Sequence, residues 1–107
     1  MKIIQTSLVP KGYKAITIGP WILVKPGTIL KGSDTLHETI HWEQEKETLI
    51  IGFYLWYILE FLIRWIISGF KWKKSYKAIS FEQEAYEGEK NPKYLTIRKH
   101  YDWIKYL

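Results

Sequence analysis

The sequence predicts a single α+β domain in which helices dominate and a short β element lies near the N-terminus. Three observations lead to this prediction. A chain of 107 residues can bury one modest hydrophobic core but not two. Short β-rich runs bounded by Gly and Pro are confined to the beginning of the chain, whereas most of the remainder carries apolar residues at helical spacing. No repeat, low-complexity tract or linker interrupts the sequence, so residues 1–107 are expected to form one domain.

Composition narrows the class of protein further. Hydrophobic residues make up 47% and charged residues 25%, which is typical of a globular chain rather than a disordered one. Cysteine is absent, which excludes a disulfide framework and any thiolate metal site. The net charge of +5 is compatible with an anionic partner without requiring one. The opening segment lacks a sustained apolar stretch, so we expect no secretory signal and a cytoplasmic protein, with membrane or virion association as the alternative.

The β element is expected after an irregular start. Residues 1–14 contain Pro10 and Gly12, which disfavour regular structure. The segment AITIGPWILVKPG then carries two β-rich runs that are separated by Gly-Pro and closed by Pro-Gly. We therefore predict a hairpin or two short strands at 15–18 and 21–25.

The first helix is predicted over residues 34–47, the segment DTLHETIHWEQEKE. Ser33 or Asp34 can serve as its N-cap, and Asp34 also places a negative charge at the positive end of the helix. Gly52 is expected to break or bend the chain after this helix.

Three more helices are predicted downstream. The apolar segment FYLWYILEFLIRWIIS forms the second helix, residues 53–68, and is expected to end near Gly69. The basic aromatic segment 71–76 is predicted to be a connector. Further helices are expected at 77–89 and 94–107.

The motif HETIH gives the first helix a chemical meaning. Residues four apart on a helix share one face and lie about 6 Å apart along the axis, so His37 and His41 can hold one Zn²⁺ ion. Glu38 lies one step round the helix, close enough to take a proton from a metal-bound water without ligating. This spacing predicts a catalytic zinc site that needs a third protein ligand.

The third ligand must come from another element. Glu45 lies about 12 Å along the helix axis from His37, too far for both to meet one ion. The remaining candidates are His100, Glu82 and Glu84.

HETIH and the later E-x-x-A segment, which begins at Glu82, together resemble the gluzincin class of zinc metallopeptidases. The resemblance implies a minimal zincin-like fold with zinc ligands His37, His41 and Glu82 and with Glu38 as general base. In that pattern the small Ala85 shares the face of Glu82 and lets two helices pack closely. Glu84 is expected to point away to solvent, so Glu84→Ala should have little effect on zinc binding or on the fold. Tyr86 stands where an Asp commonly follows the Ala, so the resemblance alone does not supply the carboxylate that orients a ligand histidine. HETIHWEQ, FYLWYILEF and SFEQEAY also resemble short uncharacterised HExxH proteins of gut bacteria and their phages, which brings no known function.

The apolar segment from Leu49 to Phe70 has two interpretations. Glu60 and Arg64 interrupt it and belong to one polar stripe at helical spacing. A buried core helix with these two residues paired explains the pattern, and so does a helix of residues 53–70 lying at a membrane surface. We favour the core helix. The neighbouring KWKKSYK mixes cations and aromatic rings, but without a nucleic-acid-binding motif we do not expect nucleic acid as a partner.

These observations predict a zinc-dependent metallopeptidase that hydrolyses a peptide or protein substrate. The substrate is expected to add as a strand to the edge of 21–24, and a tyrosine, for which Tyr86 is one candidate, is expected to stabilise the oxyanion. Gln44 shares the face of His41 and is a candidate contact to a ligand or to substrate. The alternative is a non-catalytic structural or assembly protein, such as a phage component, that keeps the zincin scaffold and binds a protein or membrane partner.

Overall fold

The structure, a computed structural model, describes residues 2–9 and 13–107 and confirms an α+β domain that is mostly helical. Three short strands precede the helices, in the order β1, β2, β3 and then α1 to α5. The strands are Lys2–Gln5, Ala15–Ile18 and Trp21–Val24, and the helices are Gly32–Glu47, Ile51–Ile67, Trp72–Ala78, Ser80–Gly88 and Tyr94–Ile97. A short 3-10 helix, Asp102–Tyr106, follows α5.

The sheet has the strand order β1-β3-β2. The predicted pair of strands is confirmed as an antiparallel hairpin, β2 with β3, closed by a Gly-Pro turn. The prediction of irregular structure at the N-terminus is wrong for residues 2–5, which form β1 and pair with β3 in parallel. Local patterning gave no signal for this strand because its pairing partner lies some twenty residues away. Pro10 and Gly12, on which that prediction rested, lie outside the described residues.

The position of β3 corrects the expected site of substrate addition. Trp21–Val24 is the central strand, and β1 and β2 occupy both of its edges. The open edge next to the helices is that of β2, because β2 packs on α1 through Thr17, whose hydroxyl contacts Glu38 at 3.0 Å.

Helix α1 begins slightly earlier than the sequence predicts. Lys31 is the N-cap, so neither Ser33 nor Asp34 fills that role. Asp34 instead lies in the first turn, where its carboxylate accepts a hydrogen bond from the backbone N–H of Lys31 at 3.0 Å. This contact satisfies one free N–H at the start of the helix and keeps the negative charge near the positive helix end.

The turn between α1 and α2 lies before the predicted break. Gly52 is inside α2, and the chain turns at Leu49 and Ile50, whose φ angles are 60° and 63°. A β-branched residue at positive φ is strained, and a backbone hydrogen bond of 2.6 Å from Ile50 to the carbonyl of Glu45 supports the turn. The two helix axes meet at 108°. Across the described residues no single helix is long and apolar enough to cross a membrane.

Helix α2 turns its polar stripe towards the protein. Glu60 is buried, pairs with Arg64 at 2.9 Å as predicted, and accepts a hydrogen bond from the backbone N–H of Ser80 at 2.8 Å. The opposite face is aliphatic and exposed. The expectation of a buried core helix is therefore wrong, because only Phe53 and Glu60 in this helix are buried.

The C-terminal half has more and shorter helices than the sequence predicts. The expected connector at 71–76 is helical and belongs to α3. The helix predicted at 77–89 is divided at Ile79, which has extended backbone angles. The helix predicted at 94–107 is interrupted by Tyr101, which has a left-handed φ of 60°.

Close packing of α1 on α4 holds the centre of the molecule together. Ala85 on α4 is fully buried, and a Cβ atom added at Gly88 would lie 2.7 Å from Ile40 on α1. The absence of a side chain at Gly88 therefore permits the close approach of the two helices. The main hydrophobic cluster lies beside this contact and contains Phe53, Ile79, Phe81 and Trp103.

Candidate metal centre

Three side chains from two helices converge at the contact between α1 and α4. His37 and His41 come from successive turns of α1, and Glu82 comes from the first turn of α4. The Oε1 atom of Glu82 lies 3.1 Å from Nε2 of His37 and 3.1 Å from Nε2 of His41. All three side chains are largely withdrawn from solvent. The structure thus brings together the three residues that the HExxH and ExxA motifs single out.

The second ring nitrogen of each histidine faces an oxygen that can only accept a hydrogen bond. Nδ1 of His37 lies 2.7 Å from a carboxylate oxygen of Glu89. Nδ1 of His41 lies 2.8 Å from the amide oxygen of Gln44. The orientation of that amide is fixed, because its NH₂ group donates to the carbonyl of Phe81 and to the carboxylate of Glu84, both at 2.9 Å. Both imidazoles therefore carry a proton on Nδ1.

The protonation of Nδ1 determines whether these residues fit a metal ion, because it leaves Nε2 of a neutral ring free to donate an electron pair. With Nδ1 protonated, each neutral imidazole directs its Nε2 lone pair at Glu82 Oε1, which is also an electron-pair donor. A lone pair on each Nε2 atom, 3.1 Å from Oε1 of Glu82, repels that oxygen unless a cation lies between them. A proton or a metal ion meets that requirement, and two imidazoles with one carboxylate are a ligand set that zinc accepts. The His-Glu-x-x-His group could therefore hold a metal ion.

The electrostatics of the cluster also favour a cation. Burial opposes the charged form of His41, but the carboxylate of Glu82 outweighs burial and raises the pKa of His41 to about 10. Burial likewise opposes the charged form of Glu82, but His41 and His37 lower the pKa of that carboxyl far below its ordinary value. The cluster therefore has a strong affinity for positive charge at the point where the three donors meet.

Glu38 lies beside the two histidines and forms with them a group of side chains that could hold a metal ion. A ring nitrogen of His37, a ring nitrogen of His41 and a carboxylate oxygen of Glu38 lie within 4.8 Å of one another. The hydroxyl of Thr17 on β2 lies 3.0 Å from a carboxylate oxygen of Glu38 and holds it in place. Burial raises the pKa of Glu38 above its ordinary value, with the two histidines partly opposing this shift. A carboxyl group with a raised pKa next to a metal site has the properties of a general base.

Tyr57 contributes a contact that the sequence analysis did not identify. Its hydroxyl donates a hydrogen bond of 2.6 Å to Oε2 of Glu82, so only Oε1 of that carboxylate faces the histidines. In the sequence, Tyr57 lies at helical spacing from Glu60 and so belongs to the polar stripe of α2. Its partner, Glu82, could not be identified before the helices were placed. Glu89, Thr17 and Tyr57 thus complete the surroundings of the centre from three separate elements.

A cavity of about 270 Å³ opens next to the centre. Glu38, His41 and Glu82 form one side of it, and β2 forms another through residues 15–18. The remaining wall is mainly aromatic and consists of Tyr13, Phe53, Tyr54 and Tyr57. A molecule bound in this cavity would contact the apolar wall while a polar group reached the cluster.

The other sequence candidates lie elsewhere. Glu84 is fully buried and pairs with Arg98, so the expectation that it points to solvent is wrong. His100 is 91% exposed and lies 3.4 Å from Glu47 rather than near the cluster. Glu45 accepts hydrogen bonds from Tyr54 and from the backbone of Gly19. These contacts leave Glu82 as the carboxylate that meets the two histidines.

Two further predictions concerned residues around the ligands. Tyr86 does follow Ala85 without supplying a carboxylate, and its ring packs edge-on against His37 with centroids 4.7 Å apart. The carboxylate that faces the Nδ1 of His37 comes instead from Glu89, just after α4. Gln44 does contact His41, which is one of the two roles considered for it.

Comparison with known proteins adds no assignment: no family model matches the chain, and no curated protein or solved structure is significantly similar to it.

Proposed function

We propose that this protein is a zinc-dependent metallopeptidase of the gluzincin type, with His37, His41 and Glu82 as the zinc ligands. The observation that carries the proposal is the convergence of two Nε2 lone pairs and one carboxylate oxygen at 3.1 Å. The helix contact supports the same proposal, because Ala85 lies in the α1–α4 interface where an ExxA motif requires a small residue.

In the proposed reaction the chain positions the reacting groups. Zinc, when bound, would polarise the scissile carbonyl and lower the pKa of a water molecule. Glu38 is positioned to accept a proton from an attacking water and to deliver it to the leaving amine, and the hydroxyl of Thr17 holds the carboxylate in place. Tyr57 holds Glu82, while Glu89 and Gln44 hold the imidazoles.

The edge of β2 is the proposed site of substrate binding. In the hairpin register, Ile16 and Ile18 direct their backbone polar groups at β3, so those of Ala15 and Thr17 point to the open edge. The carbonyl of Thr17 there accepts a hydrogen bond from Tyr54, which leaves three backbone groups for a substrate strand. Because the adjoining cavity is largely apolar, we propose a peptide that places an apolar side chain in it.

Measurement of bound zinc tests the ligand assignment. The purified chain should carry one zinc ion, and His37→Ala and His41→Ala should each reduce occupancy far below one, because two ligands hold the ion poorly. His100→Ala is the matched control, since His100 is exposed and remote from the centre. Full zinc retention in both helix variants would disprove the assignment.

Hydrolysis of an unfolded protein substrate tests the role of Glu38. Glu38→Gln should keep the zinc and lose activity by a factor of roughly a hundred or more, since the amide cannot accept the proton. Glu43→Gln, on the same helix and paired with Lys46, is the matched control and should leave activity unchanged. Undiminished hydrolysis by the Glu38 variant would assign the proton transfer to another group.

A second candidate function is a non-catalytic zincin scaffold that binds a partner, for instance as a phage assembly component. The exposed aliphatic face of α2 favours it, since a self-sufficient enzyme has no need of such a surface. A chain that binds zinc but hydrolyses no unfolded substrate would support this candidate over the peptidase.

A further inference from the structure

Helix α2 turns its polar residues towards the protein and its aliphatic residues outwards. Surface helices of water-soluble proteins usually have the opposite arrangement. Its polar side chains point inwards, where Tyr57 contacts Glu82 and Glu60 contacts Ser80. Its outer face consists of seven aliphatic side chains that are between 43% and 79% exposed: Leu55, Ile58, Leu59, Leu62, Ile63, Ile66 and Ile67. We call these seven residues the aliphatic face. A contiguous apolar surface of this kind is typical of a binding surface.

The shape of the aliphatic face argues for a broad apolar partner. Its residues occur as adjacent pairs on successive turns, 58–59, 62–63 and 66–67, so the apolar stripe is two residues wide. A pair of helices in a coiled coil buries a narrower seam of one residue per turn. The helix has 17 residues and is about 25 Å long, so the face is long and wide enough to lie on the surface of a lipid bilayer.

A cluster of positive charge follows α2 in the sequence. Lys71, Lys73, Lys74 and Lys77 follow α2 directly and are all exposed, and Trp72 among them is 50% exposed. Within residues 2–9 and 13–107, none of these lysines lies at salt-bridge distance from a carboxylate. Lysines and tryptophan beside an apolar helix face match the anionic headgroups and the interface of a membrane. A second copy of this chain would bring the same charge of +5 rather than an opposite one.

We infer that the aliphatic face of α2 binds the surface of an anionic lipid bilayer, with the helix lying in the plane of the membrane. The aliphatic side chains enter the acyl boundary, while Lys71–Lys77 contact the headgroups. The polar side of α2 stays on the protein, where Tyr57 holds Glu82. If the proposed function holds, peptide hydrolysis takes place within about one helix diameter of the lipid surface.

Co-sedimentation of the 107-residue chain with lipid vesicles tests this inference. The chain should bind vesicles of phosphatidylcholine and bind more tightly when phosphatidylglycerol is included. Leu59→Ser with Ile63→Ser should weaken binding to both by roughly tenfold or more, since aliphatic groups leave the acyl boundary. Both side chains are exposed, so the variant should fold, as circular dichroism will show. Ile29→Ser is the matched control, because Ile29 is 89% exposed but lies outside the face.

The basic cluster is tested in the same assay. Lys73→Gln with Lys74→Gln should weaken binding to the anionic vesicles by about fivefold for each charge removed and leave binding to phosphatidylcholine unchanged. No binding to either kind of vesicle would overturn the inference, as would equal losses for the Ile29 control and the aliphatic variant. Self-association that the aliphatic variant abolishes, without vesicle binding, would show that the face pairs with a second copy. Neither readout depends on zinc content or hydrolysis, so these results are separate from the test of the proposed function.

Discussion

Glu82 and Glu84 lie two residues apart on α4, both are buried, and they meet very different surroundings. Glu84 faces Arg98, which also pairs with Glu47, and it accepts further hydrogen bonds from Tyr94 and Gln44. We call this group the arginine cluster. Glu82 faces His37 and His41 and forms with them what we call the histidine cluster.

The difference between the clusters is the source of the positive charge. The arginine cluster contains its own permanent cation, whose guanidinium contacts both carboxylates, so each carboxylate already has a charged partner within the chain. The histidine cluster contains electron-pair donors that converge without a permanent cation. A buried carboxylate therefore indicates a metal-ion site only when the side chains around it can also donate electron pairs to a cation. Gln44 touches both clusters, accepting from His41 and donating to Glu84.

The largest effect is expected from removing the carboxylate of the histidine cluster. Glu82→Ala should lower zinc affinity by several orders of magnitude, because only the two imidazoles remain as ligands. Competition with a zinc-binding dye measures this loss. If zinc affinity were unchanged, the third ligand would have to be another residue and the comparison between the clusters would fail.

The second effect concerns the arginine cluster and corrects the expectation that Glu84→Ala would do little. Removing this carboxylate leaves the buried guanidinium of Arg98 with one partner fewer, and we expect a loss of about 3–5 kcal/mol in the free energy of unfolding. Urea titration with a chelator present measures it without a contribution from metal. Under saturating zinc the folded variant should still bind one ion. An unfolding free energy equal to that of the unaltered chain would show that the cluster does not stabilise the fold.

The third effect comes from Tyr57, which distinguishes a positioning role from a purely structural one. Tyr57→Phe removes the 2.6 Å hydrogen bond to Glu82 and should weaken zinc binding by roughly 10- to 100-fold. Tyr54→Phe is a matched control, because Tyr54 contacts Glu45 and Thr17 and no metal-ligand candidate. If Tyr57 positions Glu82, zinc affinity should fall in Tyr57→Phe and not in Tyr54→Phe. Equal losses of affinity in both variants would indicate a general disturbance of α2.

The smallest effect is a pH dependence within the arginine cluster. Burial opposes the charge on Glu47, but hydrogen bonds from Arg98 and from the backbone of Tyr101 outweigh it and lower the pKa of that carboxyl. A lowered folded-state pKa stabilises the fold above the unfolded value of about 4.3, and this contribution is lost as the pH falls through the folded pKa. The stability difference between the unaltered chain and Glu47→Gln should therefore shrink below pH 4, as urea titrations with a chelator can show. A stability difference between the two chains that stayed constant with pH would contradict this role of the Glu47 carboxylate.

The parts of the centre that the sequence predicts are those within one helix. His37, Glu38 and His41 follow from a spacing of four residues, which fixes their common face without knowledge of the fold. Glu82 was one of several candidates until the E-x-x-A resemblance singled it out. Tyr57 and Glu89 could not be predicted, because each reaches the centre from a position that depends on how whole helices pack.

The fold shows the same division between local and distant information. The hairpin β2–β3 was predicted because its Gly-Pro turn and both strands lie within eleven residues or so of each other. Strand β1 was missed because its parallel partner is distant in sequence. For α2 the apolar pattern predicted a helix, but the pattern does not determine which face of the helix packs against the protein. In the structure, the face with the few polar residues packs against the protein.

Gly88 gives the chain a longer signature than the two motifs that predict the metal centre. It lies three residues beyond Ala85, which lies three beyond Glu82, and a side chain at Gly88 would collide with Ile40 and Tyr94. The pattern E-x-x-A-x-x-G therefore combines the carboxylate that meets the two histidines with two small residues that are typical of close helix packing. A chain that carries HExxH followed by this heptad is therefore expected to bring the two helices equally close together.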